Sequence, residues 1–298
     1  MPESRRGVLS GLAAYLIWGL FPLYWPLLQP AGSVEILGHR IVWSLVFTGL
    51  LLAVGRHWLA AAAAVRHRRT ALTLLAASAL IAVNWGTFIF AVNNGYVVEA
   101  SLGYFTNPLV SVVLGVLVLG ERLRPAQWVA VGIAVVAVVV LTVDSGRPPW
   151  IALVLARSFG CDGLAKRVAP VGAVPGLAIE SAVLTLPALV GLVALHDRGE
   201  AAFGQVSVGH TALMASAGVA TAVPLLFFAA AARRIPLVTI GLLQYLAPVM
   251  QLGLGVFLFR EPMPPGRLAG SALVWVALVI FSADSIRANR RSMIAPPV

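Results

Sequence analysis

Glu35, His39 and Arg40 stand within about one and a half helical turns of each other, in a stretch that is otherwise apolar. An acid, an imidazole and a guanidinium so close could bind a charged solute or relay a proton. Glu35 and His39 are four apart and share a helix face. A charge at mid-bilayer costs about 2.5–3.5 kcal/mol on insertion scales, so such groups face protein or water and find partners. Glu180 is the one acid of a later apolar stretch, and it lies 140 residues after Arg40. Two readings stand for Arg40 and Glu180: a structural ion pair that fixes packing, or a direct part in substrate or proton handling. For Glu35 a third is open, that it sits near the outer interface and is simply solvated.

Neutral polar residues gather elsewhere. Asn84, Trp85, Asn93, Asn94, Tyr104, Thr106 and Asn107 fall in two consecutive apolar stretches. Amides and an indole can hydrogen-bond a polar solute while apolar walls hold its carbon skeleton. The competing reading is that buried Asn bonds neighbouring helices together. Asn93-Asn94-Gly95 reads as a turn. Pro108 and Pro248 each free a backbone carbonyl and are expected to kink their helices. These kinks lie beside Tyr104–Asn107 and Gln244–Tyr245, where bending would open and close a path; static packing kinks are the alternative. Glu121 and Glu261 are each followed by proline within four residues, a pattern of loop capping and helix stop, with a gate as the second reading.

The elements that must position these residues are apolar helices. Of 298 residues, 60% are hydrophobic and 11% charged, and mean hydropathy is +0.93. A soluble domain is about 25% charged, so this is an all-α integral membrane protein. Ten spans can be read, at about 7–29, 34–55, 70–93, 97–119, 125–143, 148–167, 174–195, 209–232, 236–259 and 264–285. The connections are short; the longest, 56–69, reads as a surface helix. No N-terminal signal peptide is evident. A single cysteine, Cys161, rules out a disulfide framework within the chain. With the N-terminus in the cytoplasm, 15 of the 21 Lys and Arg fall on the inner side and four outside, with Arg40 and Arg157 inside spans. Cytoplasmic loops collect Lys and Arg, so the asymmetry supports both the span count and cytoplasmic termini. The same scatter over short loops excludes nucleic acid as a partner.

The chain also repeats itself. Tyr104–Asp144 aligns with Gln244–Asp284 at a constant offset of 140 residues, placing Pro108 on Pro248, Glu121 on Glu261, Pro125 on Pro265 and Asp144 on Asp284. The halves divide at 1–146 and 147–286, with 287–298 a cytoplasmic tail. Five crossings per copy put the second copy in the membrane upside down, and a solute site is expected near the midplane between inverted repeats. The residues at that depth are Trp18, Asn84, Trp85, Tyr104, Asn107, Gln244 and Tyr245.

The segments Tyr15–Trp25 (YLIWGLFPLYW), Glu35–Ser44 (EILGHRIVWS), Val83–Pro108 (VNWGTFIFAVNNGYVVEASLGYFTNP) and Leu119–Trp128 (LGERLRPAQW), with 149–160, resemble RarD-type members of the EamA-domain drug/metabolite transporter superfamily. The resemblance covers nearly the whole chain. It implies ten helices as two inverted five-helix EamA repeats, and transport of small metabolites or drugs. The chain departs from the family pattern at Arg157, Cys161 and Asp162, where relatives carry apolar and aromatic residues. Arg157 and Asp162, about 140° apart around a helix, could line the cavity, or Asp162 could reach the inner surface near Lys166.

The leading function is therefore a secondary transporter moving a small solute by alternating access, with export the expected direction. A membrane-embedded enzyme needs clustered catalytic groups, yet of five histidines only His39 lies well within a span, and no zinc or Ser/His/Asp constellation is seen. A sensor or scaffold is the third class. No GxxxxGK[ST] motif is present, so ATP is not the direct energy source; a proton or other ion gradient, or the solute's own gradient, would drive flow. No cofactor is called for. The oligomeric state is not written in the sequence.

Overall fold

The computed structural model describes residues 3–55, 58–120, 123–168 and 171–294. The described residues are helical, with no strand among them. The chain begins with α1 (Glu3–Gly19), a short α2 (Phe21–Tyr24) and a 3-10 turn (Trp25–Leu28). The first half continues with α3 (Ser33–Gly55), α4 (Trp58–Arg66), α5 (Arg68–Asn93), α6 (Val97–Leu119) and α7 (Pro125–Ser145). The second half has α8 (Trp150–Val168), α9 (Ala173–Asp197), α10 (Val208–Ala215), α11 (Ala217–Ala232), α12 (Leu237–Leu243), α13 (Leu246–Gly253), a π-turn (Leu254–Leu258) and α14 (Pro265–Ile294).

Eight spans are long and apolar enough to cross a bilayer, with α10–α11 and α12 through the π-turn each counted as one, and the bent α1–α2 pair makes up to nine. The expected ten therefore stands at eight to nine on length and composition. The missing one is α8, which carries Arg157, Asp162, Lys166 and Arg167 within 19 residues. The molecule is a multi-pass membrane protein. The 56–69 connection contains α4 as a helix; Arg56 and His57 lie outside the described residues, as does Glu121.

Helix ends follow the local chemistry. Gly120 stops α6 in the left-handed conformation at φ 67, and Pro125 opens α7 at the position where a missing N–H costs nothing. At the same offset of 140 the second copy puts Arg260, at φ 53, where the first has Gly120. A side chain in that region is strained by about 1–2 kcal/mol. Pro108 sits inside a continuous α6, whereas Pro248 lies just past the junction of α12 and α13 at Gln244–Tyr245. Proline at 248 leaves the Gln244 carbonyl without its helical donor. One proline is accommodated and the other accompanies a break.

Small residues let the helices approach. A Cβ on Gly103 would lie 2.9 Å from the Ala152 carbonyl, so α6 and α8 meet nearly backbone to backbone. Gly218 of α11 is tighter still against the Trp43 carbonyl of α3. Helix α3 runs antiparallel to α9, with Gly38 against Leu192 and Leu52 in one cluster with Ala178. Helix α7 packs along α14, α6 along α8 and α13, α5 along α8 and α9, and α1 along α11 and α13.

Candidate functional site

Arg40 is 4% exposed on α3. Its Nε donates to Thr221 Oγ1 at 2.9 Å. Its guanidinium carbon lies 4.0 Å from the Trp85 ring centroid, 5.0 Å from Trp25 and 5.7 Å from Phe21. The aromatic faces supply negative quadrupole potential where water is excluded. No carboxylate stands within 4 Å of Arg40 among the described residues. The expected Arg40–Glu180 pair is not formed. The physical reason is register. Arg40 and Glu180 each come seven residues after the start of their helix, but α3 and α9 are antiparallel. Gly38 facing Leu192 and Leu52 meeting Ala178 put Arg40 level with Val190, so Glu180 is about ten residues, roughly 15 Å, further along.

Glu180, 2% exposed, instead meets Lys166 Nζ at 3.0 Å. The same ammonium reaches Asp162 Oδ2 at 2.9 Å. The triad joins the C-terminal part of α8 to the start of α9 and leaves Lys166 partly exposed. Asp162 thus pairs with Lys166, four residues on, rather than with Arg157. Arg157 is exposed, and 100° per residue turns it about 160° from the fully buried Leu155, so it does not share that inward face. Cys161 is half-buried.

Asn84 is 2% exposed and fully engaged. Its Nδ2 donates to the Leu155 carbonyl and to Ser158 Oγ, both at 3.1 Å, and its Oδ1 accepts from the Tyr104 hydroxyl at 3.1 Å. One side chain on α5 therefore ties α8 and α6 together, the helix-bonding alternative for this residue. Tyr104 also meets Phe88 and Phe159 edge-on. Asn107 is 7% exposed and its Oδ1 has no partner among the described residues.

The other expected site residues lie in separate groups. Trp18 packs on Tyr15 and Phe228, and its carbonyl accepts from Gln251 Nε2 at 3.1 Å. Gln244 and Tyr245 occupy the α12–α13 break, and the Tyr245 hydroxyl accepts from Ser282 at 3.4 Å. Of the seven residues only Asn84 and Tyr104 bond directly. The residues that sequence reasoning missed are Phe21, Trp25 and Thr221, and for Lys166, named beside Asp162, its second partner Glu180. Their signal was available in the aromatic run 21–25 and in the need of two charged spans for partners.

Glu35, His39 and the loop after α9 form a third group. Glu35 is 1% exposed, so it is not solvated as one reading had it. Its Oε1 accepts from the Ala202 and Phe203 amides at 2.8 and 2.9 Å. His39 stacks on Phe203 at 4.1 Å. A cleft of about 700 Å³ opens here, lined in part by Gln29, Glu35, Asn93, Asn94 and Glu200. Asn93 ends α5 and Gly95 turns the chain at φ 74, as the Asn-Asn-Gly pattern requires. Glu261 works at a distance in sequence: its two carboxylate oxygens accept from the Val97 and Val98 amides at 2.5 and 2.9 Å. It caps the first turn of α6, where the helix dipole favours an anion. Glu99 does the same for α8 through the Ile151 amide, with Arg147 beside it.

Long apolar helices, charges held in pairs or cages and a broken span define a polytopic membrane protein of the transporter class. Comparison with known proteins agrees. Residues 5–143 match the EamA-like transporter family. Protein RarD of Streptomyces exfoliatus is 57% identical over 97% of this chain and 92% of its own. Protein RarD of Escherichia coli (strain K12) is 41% identical over 97% and 98%, and the Chloramphenicol-sensitive protein RarD of Pseudomonas aeruginosa 32% over 98% of each. A crystal structure 19% identical in sequence superposes with a TM-score of 0.58 over 95% of this chain and 98% of that one, a likeness of fold alone. The chain belongs to the EamA transporter family as a RarD-like member.

Proposed function

We propose that this protein is a secondary transporter that exports a small organic solute across the cytoplasmic membrane by alternating access between two inverted five-helix repeats, 1–146 and 147–286. The observation that carries the reading is the pattern of helix packing. Helix α3 packs on α9, α7 on α14 and α6 on α13, and each partner lies at the 140-residue offset. The largest of the remaining contacts come in exchanged pairs: α5 on α8 is matched by α11 on α1, and α6 on α8 by α13 on α1. A packing scheme largely retained when the halves are exchanged supports a pseudo-two-fold relation, and it supports reading α8, the counterpart of α1, as a tenth span. Inverted repeats of this kind rock about a site at their interface, beside discontinuous helices. The α12–α13 break at Gln244–Tyr245 fits that role.

Trp18, Trp85, Tyr104, Asn107, Gln244 and Tyr245 are the proposed solute-facing residues, with Asn84 as their anchor. Counterflow in proteoliposomes tests the reading. Chloramphenicol, after the name of the P. aeruginosa relative, belongs in the solute panel with organic acids and amines. Exchange of a labelled solute against its unlabelled form, saturable and lost in protein-free liposomes, is the expected result. Ligand-induced stabilisation without flux for every solute that binds would favour the sensor class.

A further inference from the structure

We propose that Arg40 is the anion-recognition group of the transported solute, so that the substrate is a small organic acid presenting a carboxylate. The inference rests on the transporter reading above and names the substrate class for it. Arg40 is a buried cation in a membrane helix with no carboxylate within 4 Å among the described residues. The nearest acid in sequence, Glu35, is five positions away, about 140° around the helix, and its Oε1 is committed to the Ala202 and Phe203 amides. Glu180 is committed to Lys166. A guanidinium has five N–H donors. Here Nε is used on Thr221, and the four on the two Nη atoms have no acceptor among the described residues. Arg40 is 4% exposed, so these Nη donors sit where water is scarce.

The surroundings fit a cradle for an anion. Trp85, Trp25 and Phe21 surround the guanidinium carbon, and Thr221 holds Nε. A guanidinium with both Nη atoms to spare can meet a carboxylate in two parallel hydrogen bonds. Tyr24 and Tyr104, both half-buried, pack against the same apolar cluster as Phe21 and Trp25. Tyr24 is spent on Leu213 and Ser216, and Tyr104 on Asn84. These two hydroxyls are thus engaged, and the Arg40 Nη donors are left for the cargo. The cation–π cage keeps the empty state tolerable, while an anion in a water-poor site adds a stronger interaction than it would make in water.

The test uses the purified full-length chain in a maltoside detergent without added lipid, which removes lipid headgroups as a source of the anion. Thermal unfolding is followed with matched pairs at millimolar concentration: benzoate and benzamide, phenylacetate and phenylacetamide, N-acetylleucinate and N-acetylleucinamide. At least one acid is expected to raise the midpoint by about 2–4 °C while its amide does not. Arg40→Gln should abolish the response. Arg40→Lys keeps the charge, loses the fork and should weaken apparent affinity roughly tenfold or more while still preferring acid to amide. Equal stabilisation by acid and amide, no response to any acid, or an undiminished response in Arg40→Gln overturns the proposal. If Arg40→Gln does not fold, Arg40→Lys decides: unchanged affinity overturns it. Chloramphenicol counterflow separates the two levels. Neutral flux that persists without any acid response overturns the anion assignment alone, and loss of flux for both classes overturns the transporter reading with it.

Discussion

Glu180 meets Lys166 at 3.0 Å, and Arg40 has aromatic faces and a threonine for company. A double-mutant cycle on Lys166→Ala and Glu180→Ala should give a coupling of about 1 kcal/mol, modest because Lys166 is partly exposed. The same cycle on Arg40 and Glu180 should be additive within about 0.5 kcal/mol, and the charge swap between them should recover nothing. Denaturation in detergent reads both. Asn84 calls for a different outcome. Asn84→Leu leaves the Tyr104 hydroxyl without its acceptor and takes a donor from Ser158 and the Leu155 carbonyl; it should cost about 1–2 kcal/mol of stability, with Tyr104→Phe adding little on top. Intact stability in Asn84→Leu would mean that the three-helix junction bears no strain. The charged residues of this site could be found in the sequence, since ionisable groups in apolar stretches stand out. Their partners could not, because partner choice depends on which end of an antiparallel pair each residue is counted from. Lys166 could be placed beside Asp162, four residues away on the same helix, but not beside Glu180 on the next one.

Among the elements, helix existence was legible almost throughout. Apolar run length, the Glu–Pro loop closed by Pro125, and Asn-Asn-Gly at 93–95 each forecast an end that is observed. The break between α12 and α13 was legible only in part. Pro108 and Pro248 occupy equal positions, yet α6 stays continuous and α12–α13 does not. A freed carbonyl permits a break; the packing on each side decides whether it happens. Close helix approach was written in the glycines without being readable, since nothing in sequence separates a packed glycine from an idle one. Gly218 and Gly132 make the contrast. A Cβ at 218 would collide with the Trp43 and Ser44 backbone, and one at 132 meets nothing within 4 Å. Gly218→Ala should therefore lower the melting temperature sharply or abolish folded yield, because backbone on the other side cannot yield. Gly132→Ala should leave it unchanged or slightly raised, as helix propensity favours alanine by about 1 kcal/mol. Equal behaviour of the two variants would refute the α3–α11 contact.

At the scale of the whole molecule, the ion pairs sort the loops onto two sides and so bear on orientation. Glu3 reaches Arg234 at 3.0 Å, putting the N-terminus beside the turn after α11. Arg124 meets Asp284, putting the start of α7 beside the end of the membrane part of α14. The opposite group is held by carboxylates on backbone amides: Glu35 on the 202–203 loop, Glu261 on the start of α6 and Glu99 on the start of α8. Ten alternating crossings satisfy all of these pairings at once, with the Arg- and Lys-rich loops on the first side. Cationic loops stay in the cytoplasm, so both termini are expected inside and the carboxylate-held loops outside. Accessibility labelling in a Cys161→Ser background measures this directly. Gln205 lies exposed on the loop before α10 and Arg66 exposed at the end of α4. Gln205→Cys should react with a membrane-impermeant maleimide in intact cells, and Arg66→Cys only after permeabilisation. A C-terminal alkaline phosphatase fusion should be inactive and a C-terminal fluorescent protein bright. Labelling of Arg66→Cys in intact cells, or an active phosphatase, would reverse the orientation. A cytoplasmic C-terminus with Gln205→Cys protected would instead break the alternation in the second half, and the inverted relation of the two repeats would fall with it.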